Sequence, residues 1–335
     1  MPDDPTVSDK ARALHARALV WDNTIPWYHL PGDEKLMDRM RPSGVDAISL
    51  TVATDSDNAA ATLHKIAKVR KFIADDADNL VQAFSVEDVE AARKAGKLAI
   101  ILHFQGTNPF EGDPGLVSLF YELGVRHALL AYNVRNFVAD GCAESADAGL
   151  SRAGVAILKE MDRIGMIIDG THSGRKSTFE AIDIASGPMV FSHSNARRIF
   201  DHFRNIDDDQ IKACAATGGV IGIHGVGCCL AEDETTATCH DLFAHIDYMA
   251  ELVGWQHVGI GTDYVGNLKA NADSLSANSW PANRGRPLPP VPQNFFPPEK
   301  LILLTELMVQ RGYPEEAIMG ILGGNFARVS KQVWK

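Results

Sequence analysis

The sequence predicts a (β/α)8 barrel of the TIM-barrel class, an α/β fold. Three observations support this: eight short apolar strand-like runs, amphipathic helical spacing between them, and polar residues at nearly every run's C-terminal end. The runs, in order, are ALVWD (18–22), AISLTV (47–52), LAIILHF (98–104), HALLAY (127–132), GMIIDGTH (165–172), PMVFSHS (188–194), VIGIHG (220–225) and HVGIGTD (257–263). In the first, Asp22 and Thr24 alternate onto one face and Pro26 stops the strand. Between the runs, GVAILKEMDRI, RKSTFEAIDIA, DDDQIKACAATGG and CHDLFAHIDYMAELVG carry apolar residues at helical spacing, and Gly218, Gly219 and Gly254 stand where C-caps belong. NARRIFDHF reads as helix-like, and the acids of NIDDDQ read as a helix start. Alternating strands and helices favour parallel pairing by right-handed crossovers; a doubly wound open sheet is the structural rival. The chain is read as one barrel domain, residues 1–335. Its Pro- and Asn-rich stretch 271–298 is expected to be a long loop overhanging the barrel mouth, and 28–44 to help shape the pocket.

Composition narrows the partners. The chain has 335 residues, 45% hydrophobic and 22% charged, as in a globular protein with a sizeable core. A formal net charge of -11, with no basic patch, argues against nucleic acid and against anionic membranes and leaves a small-molecule substrate. The N-terminus does not read as a secretory signal, so a cytoplasmic location is expected. Five cysteines without paired spacing, Cys228 and Cys229 adjacent among them, are expected to be free thiols.

In this barrel class chemistry sits at the C-terminal strand ends. Those ends carry Asp22, Thr24, His103, Gln105, Tyr132, His172, His193, His224 and Asp263. A single histidine after an apolar run is ordinarily a hydrogen-bonded core or rim residue, and His103 and His224 are read that way. His172, His193 and Asp263, on the fifth, sixth and eighth strands, together resemble an amidohydrolase-type site, in which neutral imidazoles hold a divalent ion and a carboxylate handles the proton.

The runs GMIIDGTHSG, GPMVFSHSNAR, FRNIDDDQIKACAATGGVIGI, LVGWQHVGIGTDYVG and ILGGNFARV resemble the membrane (renal) dipeptidase family of zinc hydrolases, peptidase family M19, over most of the chain. The 21-residue interval from His172 to His193 agrees with that of two family metal ligands. The resemblance implies an amidohydrolase-like barrel with two zinc ions, a dipeptide substrate and a homodimer. Arg204 stands where an arginine binds the substrate carboxylate, and Asp263 where an aspartate is the general acid/base. Three of the family's metal-ligand positions are changed. Its His-x-Asp falls on Asp22 and Thr24, and its bridging glutamate falls on Gln105. A substrate-contacting histidine falls on Tyr132, and the 27-residue interval between Gln105 and Tyr132 matches the family's.

Two divalent ions held close together need an anionic bridge, and a carboxamide supplies only a dipole. The expectation is therefore at most one divalent metal, zinc, on His172 and His193, completed by Asp22 or Asp263 with Gln105 as a further donor. The expected reaction is hydrolysis of an amide bond in a small carboxylate-bearing, dipeptide-like substrate. Arg204 grips the carboxylate, Tyr132 donates to the oxyanion and Asp263 shuttles the proton. Two alternatives stay open: a metal-free lyase or isomerase with Asp263 as base, and a ligand-binding barrel without turnover.

Overall fold

The computed structural model describes residues 4–27, 34–232, 237–266 and 294–335. Its strands are β1 (Trp21–Pro26), β2 (Ala47–Thr54), β3 (Leu80–Gln82), β4 (Leu98–Gln105), β5 (Val125–Leu129), β6 (Ile167–Asp169), β7 (Val190–Phe191), β8 (Val220–Ile223) and β9 (Val258–Ile260). All pairings are parallel, in the order β1-β2-β4-β5-β6-β7-β8-β9. The ring is drawn shut between β9 and β1, where the Thr262 N–H donates to Asp22 Oδ1 at 2.8 Å and the Asp263 N–H to the Thr24 carbonyl at 3.0 Å. This is the expected barrel. The additional strand, β3, lies off this path and pairs with β4; at three residues it is too short to show a periodicity.

Period-two alternation accounts for the barrel interior. Trp21, Ala47, Ala99, Ile101, Ile167, Val190 and Val220 come from six different strands yet form one cluster, which only the inside of the barrel can bring together. Phe326, on the C-terminal helix Asn325–Val333, joins them. One step further along the same inward set the residues turn polar: Ser49 and Thr51, His103 and Gln105, Asp169, and Ser192. Thr51, His103 and Gln105 pair within this layer. Gln105 donates to Thr51 Oγ1 at 3.0 Å, and Thr51 Oγ1 lies 2.8 Å from His103 Nε2. His103 stacks on His127 at 4.2 Å, and His127 Nδ1 lies 3.3 Å from Asp169 Oδ2. Burial pushes the Asp169 carboxyl up, but hydrogen bonds from His127, Ser192 and Thr171 outweigh it and hold the pKa below the ordinary value. His103 is thus an interior histidine hydrogen-bonded through Nε2, while its Nδ1 has no partner among the described residues.

The helices stand where the apolar spacing puts them: Arg152–Ile164, Arg175–Ile184, Asp208–Ala216 and Cys239–Val253. Capping boxes start two of them, Asp207 with Gln210 and Thr238 with Asp241. NARRIFDHF is not a helix. The side chain of Asn195 is spent on the His224 carbonyl, and the main chain exchanges hydrogen bonds across Ala196–Ile206, so tertiary contacts override the local pattern. Residues 28–33 and 271–293, parts of the two expected pocket segments, lie outside the described residues. The end of the longer segment returns over β8, where the Phe296 N–H donates to the Gly225 carbonyl at 2.8 Å. Among the described residues no helix is long and apolar enough to cross a membrane.

Candidate active site

His172 and His193, 21 residues apart, meet over the barrel mouth with their Nε2 atoms 3.0 Å apart. Each ring is held through its other nitrogen. Asn133 Oδ1 lies 2.6 Å from His172 Nδ1, while Ser192 Oγ and Thr24 Oγ1 lie 2.8 and 3.0 Å from His193 Nδ1. A carboxamide oxygen only accepts, so His172 carries its proton on Nδ1 and presents a lone pair at Nε2. His193 then donates from Nε2 and accepts at Nδ1 from the Ser192 hydroxyl. The proton order is unbroken from Ser192 to Asn133. Burial is the main cause that lowers both imidazole pKa values well below the ordinary range, with Arg204 and neighbouring histidines adding to it, so both rings are neutral.

The remaining predicted residues gather around this pair. Tyr132 stacks on the His172 ring at 4.2 Å between centroids. Arg204 is 2% exposed; its Nη2 donates to the His193 carbonyl at 3.2 Å and its Nε has no partner among the described residues. Asp263 is partly exposed, hydrogen-bonded by Gln105, and raised to about 7, chiefly by removal from water, with Arg204 opposing and Asp22 reinforcing the shift. Asp22 and Thr24 diverge. The pairing of β1 with β2 shifts register between Asp22 and Ile25, and the Asp22 carboxylate turns to Thr262, taking its N–H on Oδ1 and its hydroxyl on Oδ2. Burial raises the Asp22 pKa to about 6, against these hydrogen bonds.

Backbone strain is concentrated here. His172 (φ 64°), Asp263 (φ 57°) and Asn133 (φ 60°) are left-handed non-glycine residues at three strand exits. Asn133, Ser192 and Thr262 are site residues that the sequence reading passed over. Nothing in their spacing marks them, although Asn133 follows Tyr132 directly. A further organiser is Asp55, after β2, which accepts from the N–H groups of Thr107, Asn108 and Tyr132 at 2.8–3.0 Å and from Asn136, tying three strand exits together. Gly106, with φ 146°, permits this approach: a Cβ there would lie 2.3 Å from Asp55 Oδ1.

A parallel eight-stranded barrel with paired imidazoles, a buried arginine and a carboxylate at its C-terminal mouth defines an amidohydrolase-like protein. The description "membrane dipeptidase (peptidase family M19)" matches residues 20–277. An amidohydrolase from Pseudomonas aeruginosa has a TM-score of 0.87 at 31% identity, covering 97% of this chain and 99% of that one. Dipeptidase verJ of Clonostachys rogersoniana is 28% identical over 279 residues, 83% of this chain and 66% of its own length. Dipeptidase aclJ of Aspergillus oryzae is 30% identical over 276 residues, 80% of this chain and 60% of its own length. The chain belongs to the membrane dipeptidase family, peptidase family M19. It spans about 60 to 66% of the length of these curated relatives. A metallo peptidase from Rhodobacter sphaeroides, solved with a phosphinate mimic of the dipeptide L-Ala-D-Ala, shares the fold at TM-score 0.78 and 17% identity.

The family is one of metallopeptidases, and the donors present decide what this chain can hold. His172 offers its Nε2 lone pair with Nδ1–H held by Asn133, and His193 would offer Nε2 in its other tautomer, with Nδ1–H donating to Ser192 Oγ. The anionic bridge is missing: Thr24 and Gln105 are neutral, and Asp22 is committed to Thr262. Among the described residues no three His, Cys, Asp or Glu side chains converge on a metal-holding position. The residues do not fit a two-ion centre.

Proposed function

We propose that this chain hydrolyses an amide bond in a small, carboxylate-bearing, dipeptide-like substrate bound at the barrel mouth. The observation that carries this reading is Arg204, a buried guanidinium beside the histidine pair with an unspent Nε–H. A charge with unused donors is expensive to bury, and a carboxylate ligand supplies what is missing. Its burial speaks against a surface salt bridge.

With the carboxylate on Arg204, the scissile amide lies between the histidine pair and Asp263. Asp263, held by Gln105 and balanced near neutrality, takes a proton from the attacking water and returns it to the leaving nitrogen. The Tyr132 hydroxyl donates to the developing oxyanion. At most one divalent ion accompanies the chain, with His172 and His193 as its nitrogen donors. Five free cysteines support work in a reducing compartment such as the cytoplasm.

Arg204→Lys tests the reading. Lysine lacks the directed N–H donors of a guanidinium, and losing a charge-assisted hydrogen bond costs about 1.5–3 kcal/mol. Dipeptides are expected to bind about tenfold or more weakly, and their C-terminal amides to be unaffected. Equal losses for both, or none for either, would remove Arg204 from the site.

A further inference from the structure

His224 follows Ile223 at the exit of β8, and on the strand's two-residue period it belongs to the inward set of Val220 and Gly222. Its ring is 1% exposed and stands edge-on to the His193 ring, with centroids 6.3 Å apart. The main chain on either side of that ring is locked. Asn195 accepts the His224 N–H at 3.2 Å and donates to its carbonyl at 3.1 Å. The Val226 N–H then donates to His224 Nδ1 at 3.4 Å. That contact makes Nδ1 the acceptor, so the neutral ring carries its proton on Nε2. Burial, and next the field of Arg204, hold the ring neutral by lowering its pKa well below the ordinary value.

The Nε2–H has no acceptor among the described residues, and neither has the Nε–H of Arg204. Buried donors are seldom left without partners. Here two stand in the segments that follow β7 and β8, one cationic and one neutral, and the charge of the arginine acts on the imidazole. The complement to two such donors is a group that only accepts and offers two oxygens. We propose that His224 is a second substrate-binding residue, its Nε2–H holding one oxygen of the substrate carboxylate while Arg204 holds the other. The assignment rests on the reading of Arg204 as the carboxylate grip. It gives the site a preference for a planar carboxylate over a lone negative charge, since a neutral imidazole adds direction without adding charge.

The test uses the whole chain in wild-type, His224→Phe and His224→Gln forms. Alanyl-alanine and its C-terminal amide are the calorimetric probes, and 15N-histidine-labelled wild type is titrated with acetate and with acetamide. Acetate is expected to move the His224 Nε2–H resonance, and acetamide to leave it in place. His224→Phe should weaken alanyl-alanine about tenfold or more and leave the amide within about twofold; His224→Gln, which retains an N–H donor, should stay within about threefold of wild type for both. If His224→Phe keeps the preference for the acid while Arg204→Lys abolishes it, His224 is overturned and Arg204 stands. Equal weakening of both probes by His224→Phe would mean that the ring only packs. A wild-type protein without preference for the acid, whose resonance acetate leaves unmoved, overturns both assignments. Because the titration needs no variant, it decides the matter even if His224→Phe fails to fold.

Discussion

Replacing His245 by glutamine should remove about one proton's worth of acid sensitivity from folding. His245 is fully buried in the helix Cys239–Val253; it accepts the Ala196 N–H on Nδ1 at 3.2 Å and donates from Nε2 to the Leu230 carbonyl at 3.0 Å. It thereby joins the loop that follows His193 to the turn that follows β8. Both nitrogens are used in the neutral form, and a second proton would face the Ala196 N–H. Burial, the main cause, lowers the pKa from 6.5 to about 4, against the Leu230 hydrogen bond and Asp241, which raise it. Because folding depresses this pKa, the stability is whole above pH 6.5. It is lost as pH falls from 6.5 toward about 4, and declines no further below that, where both states carry the proton. The full loss is about 3 kcal/mol, of which about 2 kcal/mol is reached by pH 5. Glutamine offers an acceptor and a donor at similar reach and has no proton to gain. Urea unfolding of both proteins at pH 7 and pH 5 measures the effect, and the loss between the two should be about 2 kcal/mol smaller in His245→Gln. The other buried histidines titrate in both proteins and cancel in the difference. Equal losses would show that His245 is not a neutral clamp.

Elemental analysis of the purified chain should give at most one tightly bound divalent ion, abolished by His172→Ala or His193→Ala; two ions at full occupancy would refute the charge argument at Gln105. The combined change Asp22→His, Thr24→Asp and Gln105→Glu should raise zinc stoichiometry toward two, and no gain would mean that supports such as Thr262 have diverged with the ligands. Gly106→Ala forces a Cβ against Asp55 at a left-handed backbone position and should cost about 2 kcal/mol or more in thermal or urea unfolding. An unchanged midpoint would show that Asp55 does not tie the strand exits together.

Alternating strand and helix periods determined the barrel, because burial on both faces of a parallel strand leaves a local imprint in the run itself. The same periods placed His172, His193 and Asp263 at strand exits, and a family resemblance extending over most of the chain marked Asp22, Thr24, Gln105 and Tyr132 as departures. Tertiary structure decided the rest. That Asp22 is committed to Thr262, a partner 240 residues away, follows from where the ring draws shut. Whether Arg204 lay on the surface or inside was open from NARRIFDHF alone, since that stretch has helical spacing and contacts across the chain pull it out of a helix. The tautomers of His172 and His224 depend on Asn133 and on the Val226 N–H, single atoms brought up by folding. Hydrophobic periodicity is a property of neighbours in sequence; the direction of a proton between two imidazoles depends on groups that become neighbours only when the barrel has closed.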